Sequence, residues 1–396
     1  MDLKKSLENK LEEIANFLLN HKDYNIEIGA LTGISGNALF HFYYANYKDD
    51  DRHREKGAEI ISKVFSRIEQ GYTYPTFCDG IAGACWVLEL LKEEKFIELE
   101  EDIITEDLDE YLFNKMKGFI TNNNFDFLHD AIGIGYYFLK RYENIQISSL
   151  RNRYEKYLLE LLNAISQNAI KERNIVKWKS EIRSGDFKAE GYNLGLAHGI
   201  PSTMFFLSKL TQHLIFFEQC FKLLEPACKY ILSCQYTDKS LTSSFPNWIV
   251  ENQPTYYKSR LAWCYGDLCM GIALLQTAKM IRNETFYQKA IDLLLKTTKR
   301  KDSVEVGIKD LGLCHGTFSI INMYKQIYQI SNNNNFKDSM DFWLKSSLDS
   351  LSPSLEKINF GEEKMDLLNG LSGIGLTILS YLNNDLTNWK EALLIK

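Results

Sequence analysis

The stretch GLSGIGLTILSYL, residues 370–382, joins a Gly-x-x-Gly turn to an apolar run with helical periodicity. Versions of this unit recur along the chain, and their first residues are Gly33, Gly80, Asp130, Gly199, Gly266, Gly316 and Gly370. Between them lie amphipathic stretches, such as residues 149–166 and 285–300, whose apolar residues fall on one helical face. We therefore predict seven helical hairpins, each opened by a tight turn.

Repeated hairpins stack either as an open solenoid or as a closed ring. Glycine at a tight turn lets backbones approach closely, and turns that converge on one axis are what a closed ring needs. We therefore predict an all-α fold, an α/α toroid of inner and outer helices in a single domain over residues 1–396, although periodicity alone leaves the solenoid open. Residues of about 167–192 form an excursion, in which VKWKSEIRSG, residues 176–185, could form strands.

Composition restricts the class of ligand. The chain has 396 residues, 45% of them hydrophobic, a formal net charge of -6, and no polybasic stretch beside an apolar helix. These values disfavour nucleic acids and membrane surfaces and leave peptides or small molecules as ligands. Residues 1–20 have the pattern of an amphipathic helix and not of a signal peptide, and no run approaches the roughly 18 apolar residues of a membrane span. We expect a cytoplasmic protein with mostly reduced cysteines.

Equivalent positions of the turns collect polar and sulfur-containing side chains. With the first turn residue as zero, position minus one is Thr32, Asp79, His129, His198, Tyr265, His315 and Asn369. Position minus two is Leu31, Cys78, Leu128, Ala197, Cys264, Cys314 and Leu368. In a ring these positions face the same central end, and we place the candidate site there.

Two of these turns carry the donors of a metal site. Cys264, Cys314 and His315 supply two thiolates and one imidazole, and three protein ligands with one open position are typical of catalytic zinc. Zinc would hold a fourth thiol as thiolate, whereas a free thiol with a pKa of about 8.5 is mostly protonated at neutral pH. The competing interpretation is that these cysteines are small buried hydrophobes.

Three motifs carry a resemblance to a known family. NLGLAHGIPS (193–202), WCYG (263–266) and LCHG (313–316), in this order on seven turns, resemble the lanthionine synthetase C (LanC)-like cyclases. The resemblance extends over roughly residues 25–385 and implies an α/α toroid with one catalytic Zn²⁺ per chain. It implies closure of thioether rings by addition of peptide Cys thiols to dehydroalanine or dehydrobutyrine.

The resemblance also implies roles for individual residues. It makes Cys264, Cys314 and His315 the zinc ligands, His198 the catalytic histidine, Asp126 its acidic partner and Arg260 an active-site arginine. His198 would carry a proton, since its pKa lies near the operating pH. Asp126 would hold the His198 ring, and Arg260 would stabilise an enolate oxygen. Tyr265 would orient the substrate.

These residues also have structural interpretations. His198 could be a packed turn residue, Asp126 a helix N-cap and Arg260 a solvated surface charge. We assign Cys78 and Asp79 to turn packing and Cys269 to the core, and we place His129 outside the site. Ser202, Cys269 and Ser319 stand where the family often has the second turn glycine, and Asp130 replaces a first one, so the geometry of these turns is in question.

Four functions compete at this level. The first is a zinc-dependent cyclase of a dehydrated ribosomal precursor peptide, working with a dehydratase and an exporter. The second is a relative that adds glutathione or another small thiol, and the third is a metal-free peptide-binding scaffold of a modification complex. The fourth, a glycosidase with paired Asp79 and Asp126, leaves WCYG and LCHG unexplained.

Overall fold

The computed structural model describes residues 3–21, 26–101, 103–184, 186–238, 240–253, 258–351, 355 and 365–396. In this part of the chain, helices that follow the glycine-type turns alternate with helices that do not. The first set is α2 (Ile34–Lys48), α4 (Ile81–Glu93), α6 (Ala131–Asn144), α8 (Ile200–Leu210), α10 (Asp267–Met280), α12 (Thr317–Ser331) and α14 (Leu371–Leu382). The second set is α1 (Leu3–Asn20), α3 (Asp51–Glu69), α5 (Glu106–Thr121), α7 (Ser148–Asn168), α9 (Leu214–Ser233), α11 (Glu284–Thr297) and α13 (Asn334–Ser350).

The first set forms the inner ring of a toroid. Every residue of α4 from Ile81 to Leu91 is buried, as expected for a helix with neighbours on all sides. In α3 the buried residues follow helical spacing along a single face, from His53 to Val64, which is the pattern of an outer helix. Each inner helix contacts the next, and α14 contacts α2, so the ring closes and the predicted toroid is confirmed.

The turns themselves also link around the axis. Residues at position minus two bond to one another through their backbones: Leu31 N to Cys78 O (2.9 Å), Cys78 N to Leu128 O (2.9 Å), Cys264 N to Cys314 O (3.2 Å), Cys314 N to Leu368 O (3.1 Å) and Leu368 N to Leu31 O (2.9 Å). The inner helices that follow these six turns therefore begin at the same end of the toroid. The outer partner of α14 is α1, so the seventh pair joins two segments far apart in the chain and is not a consecutive hairpin.

The predicted excursion contains short strands. Strands β1 (Ile170–Glu172) and β2 (Ile175–Lys177) form one antiparallel pair. A second sheet has the order β3 (Ser180–Ser184), β4 (Phe187–Asn193), β5 (Trp248–Ile249) and is antiparallel throughout. Gly185, which the sequence analysis included in this stretch, lies outside the described residues. The last residue of β4, Asn193, enters the fourth turn, so the sheet is attached directly to the candidate site.

The turn before α10 requires glycine at Gly266. Its φ is +103°, in a region that side chains disfavour, and a Cβ there would lie 1.7 Å from the Arg260 carbonyl oxygen. The backbone thus folds back tightly between Arg260 and Gly266, and this loop carries Cys264 and Tyr265. Glycine here fixes the geometry of the loop that bears the first predicted zinc ligand.

A C-terminal 3₁₀ helix, Asn388–Leu393, lies inside the ring. Trp389 is fully buried, and its Nε1 donates to Ser380 Oγ of α14 (2.8 Å). The Nε1 of Trp263 donates a hydrogen bond to the carbonyl oxygen of Leu393, the last residue of this helix (2.6 Å). Because Trp263 precedes Cys264 in the chain, the interior segment supports the loop that carries the cysteine.

None of the helices in the described ranges is both long enough and apolar enough to span a lipid bilayer.

Candidate metal and acid-base site

The two predicted cysteines and the predicted histidine converge at the turn end of the toroid. One sulfur each of Cys264 and Cys314 and one ring nitrogen of His315 all lie within 4.8 Å of one another. Cys264 precedes α10, whereas Cys314 and His315 precede the neighbouring inner helix α12. The repeat register brings them together because equivalent turns meet at the axis.

The electrostatics of the two thiols are coupled. The contact with Cys314 lowers the pKa of Cys264 well below its usual value, and the same contact raises the pKa of Cys314. Further lowering of the Cys264 pKa comes from His315 and from the positive charge of Arg260. The pair therefore carries one negative charge readily, as a site that receives a cation should.

Asp310 orients the His315 ring and was missed by the sequence analysis. His315 Nε2 donates to Asp310 Oδ2 at 3.0 Å, while Asp310 Oδ1 accepts the backbone N–H of Gly312 at 2.8 Å. This hydrogen bond is the first cause, and the hydrogen bond with Cys264 the second, of a His315 pKa raised to about 9. With Nε2 occupied, Nδ1 is the ring nitrogen left for a metal. Asp310 stands in the quoted segment DLGLCHGTFS, but nothing in its spacing distinguished it from a solvated turn residue.

The donor set fits zinc. Two sulfurs and one imidazole nitrogen are ligands that zinc takes in tetrahedral catalytic sites, where a water or substrate holds the fourth position. The His315–Asp310 bond adds the carboxylate partner that metal-bound histidines usually have. Within the described residues, the group of possible ligands contains Cys264, Cys314 and His315 and no other residue.

His198 and Asp126 form a second cluster. His198 Nδ1 donates to Asp126 Oδ2 at 2.6 Å, and Asp126 Oδ1 accepts the backbone N–H of His129 at 2.9 Å. Burial would lower the pKa of His198, but the Asp126 charge and hydrogen bond outweigh it and raise that pKa above 6.5. Asp126 does not cap α6, whose N-cap position is occupied by Asp130. The charge of Cys264 also acts on His198, which places the two clusters side by side.

Arg260 acts on the first cluster, and Tyr265 lies beside His198 of the second. Arg260 is half-buried, and its charge lowers the pKa values of both Cys264 and Asp310, so it acts electrostatically on the candidate metal site. The Tyr265 ring lies 6.5 Å from that of His198 between centroids. Its hydroxyl accepts a hydrogen bond from Asn193 Nδ2 at 3.1 Å, a contact absent from the sequence analysis. Burial raises the pKa of Tyr265 to about 12, so the phenol stays protonated.

The turn residues that depart from glycine form local hydrogen bonds. Ser319 Oγ accepts the backbone N–H of Trp263 at 2.7 Å, which links the fifth and sixth turns. Ser202 Oγ donates to the Gly199 carbonyl oxygen (2.7 Å), and Cys269 Sγ donates to the Gly266 carbonyl oxygen (3.1 Å). The turns retain their register.

Three other residues at or near the turn positions lie apart from the candidate metal ligands. Cys269 is buried in the core, and Cys78 is buried with its sulfur 3.5 Å from Thr32 Oγ1. Asp79 Oδ1 accepts a hydrogen bond from Thr76 Oγ1 within its own turn. None of the three belongs to the group of possible ligands found in the described ranges.

A cleft of about 630 Å³ opens beside His198. The third turn, the fourth turn and the start of β3 form its walls, and its lining includes Asp126, Asp130, Lys179, Glu181, Arg183 and Tyr265. His129 also lines the cleft, with its ring stacked 6.0 Å from that of His198. His129 is therefore nearer to the predicted site than the sequence analysis placed it.

Comparisons with known proteins agree with the fold. A family model described as "Lanthionine synthetase C-like protein" matches residues 26–394. Among solved structures, nisin cyclase is similar with a TM-score of 0.73 and 20% sequence identity, covering 100% of this chain and 98% of that chain. At that identity the structural likeness shows a shared fold. No curated protein sequence gives a significant match.

Proposed function

Because the chain belongs to the lanthionine synthetase C-like family, we propose that it is a zinc-dependent lanthipeptide cyclase. It adds Cys thiols of a dehydrated precursor peptide to dehydroalanine or dehydrobutyrine and so forms lanthionine or methyllanthionine rings. The proposal includes a cytoplasmic location, where the cysteines stay reduced, and a dehydratase that supplies the substrate.

The observation that carries this proposal is the proximity of two different clusters. Cys264, Cys314 and His315 can hold a thiol-activating ion, and His198 with Asp126 forms an acid-base pair that is coupled to Cys264 through its charge. Addition of a thiol to a dehydrated residue needs both functions, because sulfur must lose a proton and the α-carbon must gain one.

The reaction balances without a redox partner. The sulfur forms a bond to the β-carbon, the carbon–carbon π electrons move to give an enolate, and the α-carbon then takes a proton. The thiol proton and the α-carbon proton cancel, so the peptide mass is unchanged. When bound, zinc would keep the incoming thiol in its thiolate form near neutral pH.

The residues of the chain would handle the proton and the charges. His198 Nε2 faces away from Asp126 and would carry the proton to the α-carbon, while Asp126 fixes the ring through Nδ1. Arg260 would stabilise the enolate oxygen, and the protonated Tyr265 would orient the peptide. The N-termini of the inner helices point toward this end, and their dipoles favour both anions, the thiolate and the enolate.

A single incubation tests the function. The purified protein, loaded with zinc, is mixed with a peptide that contains dehydroalanine and Cys, and free thiols and peptide mass are followed together. We expect loss of one thiol per ring at constant mass. If glutathione is present and the mass rises by one glutathione, the small-thiol addition is the correct function; if neither changes, the scaffold interpretation replaces the enzyme.

Replacement of Asp310 by alanine is expected to weaken zinc binding by about 10- to 100-fold, the usual effect of removing a carboxylate partner from a metal-bound histidine. The physical reason is that His315 loses the hydrogen bond that holds its ring and tautomer. Competition with a chromophoric chelator measures the affinity. Asp302→Ala serves as the control, since Asp302 is an exposed carboxylate that accepts the Glu305 backbone N–H. Equal zinc affinity in both variants would contradict the assigned role of Asp310.

A further inference from the structure

The turn before α6 differs from the other six at its first residue. That residue is Asp130, whereas glycine opens the others. At Gly80 and Gly199, an added Cβ would lie 2.4 Å and 2.3 Å from a backbone carbonyl oxygen. A side chain at this position would therefore collide with the backbone in a turn of that shape.

The third turn keeps the backbone hydrogen bond of the other turns at a longer distance. In the first, second and sixth turns, the first helical N–H reaches an upstream carbonyl oxygen: Ile34 N to Glu27 O at 3.1 Å, Ile81 N to Tyr74 O at 2.8 Å and Thr317 N to Asp310 O at 3.2 Å. The equivalent distance from Ala131 N to Asn124 O is 3.4 Å. The Asp130 side chain is thus accommodated with this backbone hydrogen bond retained, although it is longer than in the three other turns.

Helix capping does not account for Asp130. Aspartate at an N-cap normally accepts hydrogen bonds from the first turn of its helix, which stabilises the helix by about 1 kcal/mol. The Asp130 side chain makes no such bond to α6. Its half-buried carboxyl instead lines the cleft beside Asp126 and His198.

The charges around the cleft leave Asp130 without an ion-pair partner. The other Asp, Glu, Lys and Arg residues of its lining are paired: Asp126 with His198 (2.6 Å), Glu181 with Lys188 (2.7 Å) and with Arg183, and Lys179 with Glu190 (3.3 Å). In the described part of the chain, no cation lies within 4.0 Å of the Asp130 carboxyl, and His198 acts on it only through a small charge effect. Burial first, and the Asp126 charge second, raise the pKa of Asp130 to about 6, so at neutral pH the carboxylate is ionised and would be stabilised by a cation.

We propose that Asp130 determines substrate specificity by binding a cationic side chain, lysine or arginine, of the peptide next to the residues being joined. The inference rests on the proposed function, because it takes the occupant of the cleft to be the substrate peptide. A half-buried carboxylate and an ammonium or guanidinium group form a charge-assisted hydrogen bond, stronger than a neutral one. The cation would complete the charge balance of a cleft in which the other carboxylates are already paired.

Two matched peptides test the proposal. Each contains one dehydroalanine and one Cys, and the residues flanking both are lysine in one peptide and norleucine in the other. Norleucine keeps the aliphatic chain and lacks the ammonium group. We expect wild-type kcat/KM to be about tenfold higher for the lysine peptide, the size of effect of one charge-assisted contact. The ratio of kcat/KM for the lysine peptide to that for the norleucine peptide should fall to about one in Asp130→Asn and in Asp130→Gly, because kcat/KM for the lysine peptide decreases.

The control and the contrary outcomes are distinct. Asp130→Gly restores the residue of the other turns and so guards against a folding defect, and Glu181→Gln, which alters a paired carboxylate of the same cleft, should keep the wild-type ratio. A wild-type ratio near one, a ratio retained in the Asp130 variants, or equal loss with both peptides would each overturn the proposal. Failure of the folded, zinc-loaded wild type to close either ring would instead refute the proposed function.

Discussion

Replacement of both Cys264 and Cys314 by alanine is expected to remove zinc and to lower ring closure by about a thousandfold or more. Two of the three candidate donors are lost, and a metal that holds a thiolate contributes several kcal/mol, with each 1.36 kcal/mol equal to tenfold in rate. Metal content per chain, measured by plasma mass spectrometry, and the thiol assay on a dehydrated peptide provide the two readouts. Circular dichroism should show an intact helical fold, because both cysteines lie in turns that precede the inner helices α10 and α12.

Cys269→Ala is the matched control for this experiment. Cys269 is a fully buried thiol on α10, near Cys264 in the chain, but it is not among the possible ligands within the described ranges. We expect this variant to keep one zinc per chain and its ring-closing activity. Zinc retained in the double variant, or lost in Cys269→Ala, would show that the turn register does not define the metal site.

Replacement of His198 by asparagine is expected to retain zinc and to lower ring closure by about 10²- to 10⁴-fold, the usual contribution of a general acid-base group. We expect zinc binding and ring closure to be affected separately, since His198 is hydrogen-bonded to Asp126 and is not among the candidate metal ligands. Zinc content and single-turnover kinetics are measured on the same sample. Loss of zinc from this variant would mean that His198 is a ligand and that its assignment is wrong.

His213→Asn provides a matched control for His198, because His213 also forms a histidine–carboxylate pair, with Glu143 at 3.0 Å, away from the turns.

The Asp126→Asn variant adds a test by pH. Asp126 raises the His198 pKa against the lowering effect of burial, so loss of the carboxylate should lower that pKa. The limb of the pH–rate profile that reports His198 is then expected to move to lower pH. If the limb does not move, it reports the titration of a group other than His198.

The candidate site was predictable where the repeat carries the information. Cys264 and Cys314 stand at position minus two of adjacent turns and His315 at position minus one, and equivalent positions of a closed ring must meet at its axis. His198 stands in the same register, so its proximity to these residues also follows from the repeat. Asp126 was placed by resemblance to the family, and the structure puts it 2.6 Å from the His198 ring.

Other residues of the site could not be recognised from the sequence repeat. Asp310 and Asn193 precede their turns as ordinary polar residues, and only the folded chain shows that they hold His315 and Tyr265. The same is true of Ser319, whose hydroxyl joins two turns where the family pattern suggested a glycine. Asp130 was recognised as a departure, but only the folded chain shows that it lines the cleft.

The sequence by itself determined the helical repeat, the common end at which the turns meet and the identity of the candidate donors, because each depends on residue type and local spacing. Only the tertiary structure decided that α1 completes the seventh pair, that β3 forms a wall of the cleft and that the segment around Trp389 fills the ring. These features are contacts between distant parts of the chain. Their stability depends on shape and burial in the assembled ring, and neither quantity is set by the neighbours of a residue along the chain.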